Sequence, residues 1–383
     1  MKALIIGGGI AGPVTALALR KAGIDSVVHE AYETTADGIG GILNITPNGL
    51  DALRIVGLGQ ELVGEPVRRM VIADSRGRTL GSIDSAEPSR VVWRADLYRA
   101  LHDQASAQGI KVEHGKRLVG VDESGGTVTA RFSDGTADTG DLLVGADGIR
   151  STVRTIIDPA APGPEYVGLQ GFGSYAIGSG VRGEPETMYF VFGSSFLGYW
   201  SLPDGTVAWF NNLAVREPMS LAEARAIPAA TWLARLREAY GDDMPAKQLL
   251  AHSDELFVAG PMEIMPRVPR WHRGRMVLVG DSAHAPSASS GQGASLAAES
   301  GVQLARCLRD IPDVSQAFAA YERLRRPRVE RIAARAARTN NNKKAGPVAG
   351  AIMRLVMPVM LRAFGRKAFA KEQAHRIDWD ARI

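Results

Sequence analysis

The sequence predicts an α/β protein in which a parallel-sheet domain, discontinuous along the chain, is interrupted by an antiparallel β-sheet and followed by C-terminal helices. Three observations lead to this class. Short apolar strands that end in glycine precede helical segments near residues 1–30, 141–155 and 275–308. Residues 160–270 instead carry strand-like segments separated by turn residues. Beyond residue 315 the pattern is helical and rich in arginine.

The composition is that of a globular protein. Hydrophobic residues make up 45% and charged residues 22% of 383 residues, and the net charge is +4. So small a basic excess argues against nucleic-acid binding as the main function. Cys307 has no cysteine partner in the chain, which excludes an intramolecular disulfide and a metal site built from cysteines. Because no secretory signal precedes the first strand, we expect a cytoplasmic protein.

The first thirty residues predict a βαβ unit. An apolar strand at residues 3–6 leads into Gly7-x-Gly9-x-x-Gly12, a helix at residues 13–22, and a second strand that ends before Glu30. Gly7 permits the tight turn, Gly9 lets a pyrophosphate approach the backbone, and Gly12 lets helix and strand pack closely. Glu30 is placed to accept hydrogen bonds from a ribose. The unit is therefore Rossmann-like, but it does not distinguish NAD, NADP and FAD.

Two further strands end in the same pattern, in which glycine and an acidic residue precede a helix. One carries Asp147-Gly148, and the other carries Asp281 followed by a glycine-opened helix at residues 291–308. An aspartate at the carboxyl end of a strand accepts hydrogen bonds from ribityl or ribose hydroxyls, and a helix start faces an anionic group. Taken alone, either cluster is also compatible with an Asp-Gly turn in any α/β protein.

The three clusters in this order, with an Arg94-x-x-Leu97 helix between them, resemble the group A FAD-dependent aromatic monooxygenases, the flavoprotein hydroxylases similar to para-hydroxybenzoate hydroxylase. The resemblance spans residues 1 to about 310. It implies bound FAD, NADPH or NADH as a transient co-substrate without a Rossmann domain of its own, and O2. One oxygen atom is then inserted into an aromatic or polycyclic small molecule through a flavin C4a-hydroperoxide.

The resemblance also implies a set of FAD-binding residues, of which Asp147 and Gly148 are associated with NADPH as well. These residues are Gly7, Gly9, Ile10, Ala11, Gly12, Glu30, Ala31, Arg94, Leu118, Asp147, Gly148, Asp281, Gly291, Gln292, Gly293 and Ala294. The chain departs from the family at Ala288, where a proline is frequent, and Pro286 is displaced by two positions. No Lys or Arg lies between Glu30 and Arg54, so phosphate neutralisation rests more heavily on Arg94 and the helix dipole.

The expected domains follow these motifs. We assign residues 1–70, 95–160 and 270–320 to the FAD-binding domain, residues 71–94 and 161–269 to a substrate-binding β-sheet domain, and residues 321–383 to a C-terminal helical cap. The segments 187–192, 198–202 and 206–211 read as strands, and 221–240 as a helix. Strand alternation directs about half of the aromatic candidates for substrate contact toward a cavity. The candidates are Tyr189, Phe192, Tyr199, Trp200, Trp209 and Phe210.

No nucleophile with its base, metal cluster or pair of acids emerges from the sequence, so the flavin would carry the chemistry. His284 lies in the third motif, where a structural hydrogen bond explains it as well as a catalytic role does. The aromatic segments favour a planar, sparingly polar substrate.

The C-terminal part predicts two helices, at residues 315–337 and 345–369, separated by a polar break at 340–343. Arg354, Arg362 and Pro358 argue against a membrane span in the second helix. We expect a cap packed on the two domains. Contact of these basic helices with a membrane surface is the alternative.

The main functional hypothesis is therefore an FAD-dependent, NAD(P)H-consuming monooxygenase. A flavin-dependent halogenase is disfavoured because its Trp-x-Trp-x-Ile-Pro motif is absent. A flavin-dependent reductase of isoprenoid chains and a non-catalytic flavoprotein that sequesters FAD or a ligand remain open alternatives.

Overall fold

The computed structural model describes residues 1–34, 41–59, 62, 64–343 and 371–383. The strands are β1 (Lys2–Ile6), β2 (Asp25–His29), β3 (Ile42–Ile45), β4 (Glu65–Asp74), β5 (Thr79–Trp93), β6 (Lys111–Glu113), β7 (Leu118–Ser124), β8 (Thr127–Phe132), β9 (Ala137–Gly140), β10 (Leu142–Gly145), β11 (Glu165–Ala176), β12 (Thr187–Phe192), β13 (Phe196–Ser201), β14 (Val207–Ala214), β15 (Phe257–Ile264), β16 (His272–Arg273) and β17 (Met276–Leu278). The helices are α1 (Ala11–Lys21), α2 (Pro47–Ile55), α3 (Arg94–Ala107), α4 (Thr152–Ile157), α5 (Leu221–Ala226), α6 (Ala229–Tyr240), α7 (Ala246–Ala251), α8 (Asp281–His284), α9 (Gly293–Asp310) and α10 (Val314–Lys343), and residues Ala288–Ser290 form a 3₁₀ turn.

The first sheet is built from separated parts of the chain. Its strand order is β16-β17-β10-β1-β2-β6, and all its pairs are parallel except β16 with β17. The apolar strands β1 and β10 lie at its centre and are buried, as a parallel sheet covered on both faces requires. Helices α1 and α9 and the small sheet β7-β8-β9 contribute to the same hydrophobic core. This arrangement confirms the predicted Rossmann-like, discontinuous α/β domain.

The second sheet has the order β15-β11-β14-β13-β12-β4-β5-β3. Its pairs are antiparallel apart from the parallel pair β12 with β4. The boundary that we expected at residues 70/71 falls inside β4. The strand was hard to delimit because a bulge between Val67 and Arg69 shifts its pairing with β5 and breaks the alternation of apolar and polar residues.

This second sheet is strongly curved. Trp93 on β5 and Tyr175 on β11 are separated by four strands, so five spacings of a flat sheet would hold them about 24 Å apart. Their ring centroids lie 6.1 Å apart instead. At the sheet's two edges, a Cβ added to Gly41, just before β3, would lie 3.0 Å from the Phe257 ring on β15. The face that carries Trp93 and Tyr175 is therefore concave.

The predicted elements of the middle segment are present with adjusted bounds. The three strands appear as β12, β13 and β14. The helix expected at 221–240 is divided into α5 and α6, because Pro228 stands between them in extended backbone. Ser220 and Glu223 form a capping box that begins α5.

The C-terminal helix α10 packs on α9 and continues through residues 340–343, where we predicted a break. Four of its arginines form ion pairs with carboxylates, as expected of a packed cap. These are Arg325, Arg326, Arg328 and Arg335. The helix predicted at 345–369 lies outside the described residues. Within the described ranges, no helix combines the length and apolar character that crossing a bilayer needs.

Candidate active site

The first glycine cluster forms a tight loop between β1 and α1. Gly7 has a φ of 106°, and a Cβ there would lie 2.4 Å from the Ala146 carbonyl oxygen at the end of β10. A Cβ on Gly12 would lie 1.9 Å from the Gly7 carbonyl oxygen. Gly9 differs, because no described heavy atom lies within 4 Å of its Cβ position. Two of the glycines are thus required by packing, and the third faces open space beside Ile10 and Ala11 at the start of α1.

Glu30 follows β2 and holds this loop from the side. Its buried carboxylate accepts hydrogen bonds from the backbone N–H of Gly8 at 2.6 Å and of Tyr32 at 2.9 Å, across the intervening Ala31. The sequence did not single out His102 on α3, whose Nε2 donates to the Gly8 carbonyl at 2.7 Å. Burial lowers the pKa of His102. A histidine within a helix carries no local signal of such a contact, because the contact depends on how α3 packs.

The second cluster lies directly beside the first. Asp147 follows β10, and its carboxylate accepts hydrogen bonds from the Ser151 hydroxyl and, at 3.0 Å, from the Val153 N–H. Burial raises the pKa of the Asp147 carboxyl, and these hydrogen bonds oppose that rise. Gly148 adopts a φ of 78° with open space around its Cβ position. The Asp147 side chain therefore stabilises the start of α4 and leaves the backbone of the Gly148 turn accessible.

The third cluster meets the other two at the carboxyl end of β17. A Cβ on Gly280 would lie 2.8 Å from the Ala11 Cβ. The next side chain, Asp281, is solvent-accessible, yet surrounding protein atoms desolvate its carboxyl and raise its pKa, while Arg94 opposes the rise. Accessibility together with desolvation places this carboxyl on the floor of a cleft. Arg94, at the first position of α3, lies near enough to interact with it electrostatically.

The start of α9 closes the cleft on another side. Gly291 has a φ of 62°, and no described heavy atom lies within 4 Å of the Cβ position of Gly293. Ala294, half-buried, follows in the first turn of the helix. The α9 start is fixed by Ser295, whose hydroxyl accepts hydrogen bonds from the Thr46 N–H at 3.1 Å and the Thr46 hydroxyl at 2.8 Å.

A buried polar network lies behind this helix start. The fully buried Gln292 donates to Glu372 at 3.2 Å, and the fully buried Glu299 binds Arg325 and, at 2.7 Å, Arg328. Burial raises the pKa of Glu299, but its arginine partners outweigh that effect and hold the pKa at about 2. The network ties the α9 start to α10 and to the C-terminal residues.

Two other residues that the sequence analysis considered, Leu118 and His284, are buried within the protein. Leu118 lies at the start of β7 and is buried in the core of the first domain. His284 is buried on α8, and its Nε2 lies 2.8 Å from the Ser300 hydroxyl. Burial lowers the pKa of His284 to about 3, so its ring is neutral near pH 7.

The six aromatic candidates divide equally between the two faces of the curved sheet. Tyr189, Tyr199 and Trp209 lie on the convex face, within the hydrophobic cluster that α6 and α7 cover. Trp200 and Phe210 belong to a separate cluster on the concave face, and Phe192 points to that face by alternation along β12. The concave face also carries Trp93 and Tyr175, which the sequence did not single out.

The convergence of the clusters fits an extended dinucleotide. The loop after β1, the turn after β10 and the start of α8 lie side by side at the carboxyl edge of a parallel sheet, where α/β proteins bind such ligands. Open space at Gly9, Gly148 and Gly293 leaves room for a ligand to approach the backbone. The accessible but desolvated Asp281 offers an acceptor to hydroxyl groups.

Comparison with known proteins agrees with this geometry. A model of the FAD binding domain family matches residues 1–336. The chain is 30% identical over 349 residues to the FAD-dependent urate hydroxylase of Klebsiella pneumoniae, covering 88% of each chain. It is 30% identical over 335 residues to the Aurachin C monooxygenase/isomerase of Stigmatella aurantiaca, covering 84% of each. The structure of Klebsiella pneumoniae HpxO complexed with FAD and uric acid matches with a TM-score of 0.85 at 24% identity, covering 97% of this chain and 96% of that one. The predicted FAD cofactor is thereby confirmed, and the chain belongs to the family of FAD-dependent aromatic monooxygenases.

Proposed function

We propose that this protein is an FAD-dependent, NAD(P)H-consuming monooxygenase that inserts one oxygen atom from O2 into an aromatic or polycyclic small molecule. The observation that carries the proposal is the position of the cleft. It lies at the carboxyl edge of the parallel sheet, and Trp93 of the concave aromatic face directly precedes Arg94 of the cleft. A cofactor in the cleft would therefore adjoin a substrate on that face.

The residues of the cleft have distinct proposed roles toward FAD. The backbone of Gly7–Gly12 and the N-terminus of α1 would hold the pyrophosphate, because free N–H groups and the helix dipole favour anions. Glu30 would accept from the adenosine ribose, and Asp281 from the ribityl chain. Arg94 would offset phosphate charge. The backbone around Gly291–Ala294 would face the flavin's pyrimidine edge.

When bound, FAD supplies the redox chemistry and the activation of O2. The protein's own contribution is to bind, orient and exclude water. The described aromatic side chains of the concave face offer no strong base for proton transfer. Strands β12, β13 and β14 contain no charged residue. Their side chains therefore form a dry wall beside the cleft, which strengthens electrostatic interactions there and protects reactive intermediates from water.

We propose the domain division expected from the sequence, with residues 321–383 as a helical cap, except that the boundary at 70/71 moves to the start of β4 at Glu65. The ion pairs of α10 support this cap, because they occupy arginines that a membrane surface would otherwise attract. No role in nucleic-acid binding is proposed. The buried, free Cys307 accords with the cytoplasmic location that we propose.

The deciding experiment measures whether an oxygen atom from O2 is incorporated into the product. The holoenzyme is incubated with NADPH or NADH, isotopically labelled O2 and a panel of aromatic compounds, and the products are analysed by mass spectrometry. We expect a product that gains one labelled oxygen atom, and comparison of the two nicotinamides identifies the preferred donor. Reduction of a compound without label would indicate a reductase instead, and absence of labelled product across the panel would refute the monooxygenase proposal.

Site assignments are tested separately through cofactor retention. Asp281→Ala should lower FAD affinity, because it removes the accessible acceptor from the cleft floor. Asp204→Ala is the matched control, since Asp204 is an exposed aspartate in the turn between β13 and β14. Equal FAD affinity in both variants would contradict the role of Asp281.

A further inference from the structure

Trp93 and Tyr175 form an exposed aromatic pair inside the curved sheet. Their exposed fractions are 40% and 41%, which is high for large aromatic side chains of interior strands. The register places Tyr175 opposite Ala208, a member of the concave cluster, and Trp93 opposite Ile42, which packs against that cluster. Both rings therefore face the space that the sheet encloses, rather than bulk solvent outside it.

The pair lies at the junction between this space and the cofactor cleft. Trp93 directly precedes Arg94, whose charge acts on Asp281 at the cleft floor. A ligand stacked on the two rings would therefore sit next to the cleft. Substrate-binding sites typically carry exposed aromatic side chains beside the cofactor. A bound ligand buries that aromatic surface, and its burial is favourable.

The wall around the pair is uncharged over its central strands. β12, β13 and β14 contain no Asp, Glu, Lys or Arg at any position. On β4, the pairing register puts Glu65 and Asp74 on this face, but they lie at the two ends of the strand, and Asp74 is bound by Arg78 at 2.7 Å. Against these described strands, an ionised substrate would lose its hydration without gaining a counterion.

Tyr175 is 41% exposed, and its hydroxyl donates to no acceptor among the described residues. Burial raises the pKa of Tyr175, and the neighbouring Trp93 indole, whose ring centroid lies 6.1 Å from that of Tyr175, opposes that rise. An indole N–H can only donate, so the neighbouring Trp93 leaves the hydroxyl proton of Tyr175 available to a ligand. A phenol with a raised pKa keeps that proton at neutral pH.

We propose that the concave chamber selects an uncharged aromatic substrate and that Tyr175 is a positioning residue, which donates a hydrogen bond to a carbonyl or hydroxyl oxygen of that substrate. The proposal rests on the monooxygenase function proposed above, and it specifies the substrate class. Trp93 orients the Tyr175 hydroxyl and provides a stacking surface. The hydrogen bond fixes which edge of the substrate is presented to the cofactor.

The test compares three probes of similar size: 2-acetylnaphthalene, which carries a carbonyl, the isosteric anion 2-naphthoate, and naphthalene, which carries no polar group. Each is titrated into the oxidised holoenzyme without NAD(P)H, and binding is read from the perturbation of flavin absorbance. We expect 2-acetylnaphthalene to bind at least roughly tenfold more tightly than 2-naphthoate, because burial of an unpaired carboxylate is costly.

Tyr175→Phe separates the hydroxyl from the ring. It should weaken the binding of 2-acetylnaphthalene by about three- to tenfold, the range for one neutral hydrogen bond, and leave the binding of naphthalene unchanged. Tyr199→Phe is the matched control, because Tyr199 lies on the convex face of the same sheet and should affect neither probe. Trp93→Phe, which keeps a ring but removes the indole N–H, should weaken 2-acetylnaphthalene less than Tyr175→Phe does.

Three outcomes would overturn the inference. They are binding of 2-naphthoate as tight as that of 2-acetylnaphthalene, equal effects of Tyr175→Phe on 2-acetylnaphthalene and naphthalene, and no saturable binding of either neutral probe. FAD content and thermal unfolding of each variant confirm that the fold is intact. Because the titration needs no turnover, intact selectivity without labelled product would refute the monooxygenase proposal and leave the chamber assignment standing.

Discussion

Gly9→Ala isolates the contact between the first loop and the cofactor. The added methyl group meets no described heavy atom within 4 Å, and Gly9 is not among the described glycines with positive φ. The apoprotein should therefore keep its stability, or gain about 0.4–1 kcal/mol because alanine restricts the unfolded chain. In the holoenzyme the methyl would occupy space that we assign to the pyrophosphate. Overpacking of about 1–3 kcal/mol corresponds to roughly 5- to 150-fold weaker FAD binding.

Two measurements on each variant test this reasoning: thermal unfolding of the apoprotein, and titration of FAD followed by flavin fluorescence. Gly12→Ala is the matched control. Its methyl would lie 1.9 Å from the Gly7 carbonyl oxygen, so it should destabilise the apoprotein itself. Wild-type FAD affinity in Gly9→Ala would refute the placement of the pyrophosphate. A loss of apoprotein stability as large as that in Gly12→Ala would refute the assignment of open space at Gly9.

Three further predictions concern stability. Asp281→Asn should stabilise the apoprotein at pH 7. The pKa of the Asp281 carboxyl is raised in the folded state, so folding becomes less favourable as pH rises from about 3.8 through that folded pKa. Equal melting curves for variant and wild type from pH 4 to 8 would exclude this. Glu299→Gln should cost about 3–5 kcal/mol of unfolding free energy at pH 7, since it leaves the buried Arg325 and the half-buried Arg328 without their carboxylate. The contribution of Glu299, whose pKa is lowered, is present above pH 4.5 and lost as pH falls toward 2, so denaturant midpoints of wild type and variant should converge on acidification. Trp209→Phe should cost about 1 kcal/mol more than Trp200→Phe, because Trp209 donates to Ser253 at 2.9 Å whereas the Trp200 Nε1 has no hydrogen-bond partner among the described residues; equal losses in chemical denaturation would contradict this.

The fold class was predictable because the requirement for glycine at the loop after β1 comes from backbone conformation and close contacts at those positions. At Gly7 the positive φ and the neighbouring Ala146 carbonyl exclude a side chain, and at Gly12 the Gly7 carbonyl does so. Such constraints leave a mark at fixed spacing in the sequence. The break between α5 and α6 was equally local, at Pro228, and greater weight on that proline would have predicted it.

Other features depend on tertiary structure and left no local signal. Alternation predicted that half of the aromatic candidates would face a cavity, but the choice of half depends on sheet pairing and on the bulge in β4. Trp93 and Tyr175 are far apart in sequence, and curvature of the whole sheet brings them together. His102 contacts Gly8 because of the way α3 packs. The FAD-binding roles themselves came from resemblance, and they stay predictions until the variants above are measured.

The parallel pairing of β4 with β12 has a consequence for how the protein is made. Arg69 to Asp74 pair with Thr187 to Phe192, which leave the ribosome well over a hundred residues later. Until then one edge of β4 has unpaired backbone groups, and an open apolar edge promotes association with other chains. Closure of so long a loop is slow. The substrate chamber should therefore be completed late in biosynthesis, and nascent chains that stop between these two strands should depend on chaperones to stay unaggregated.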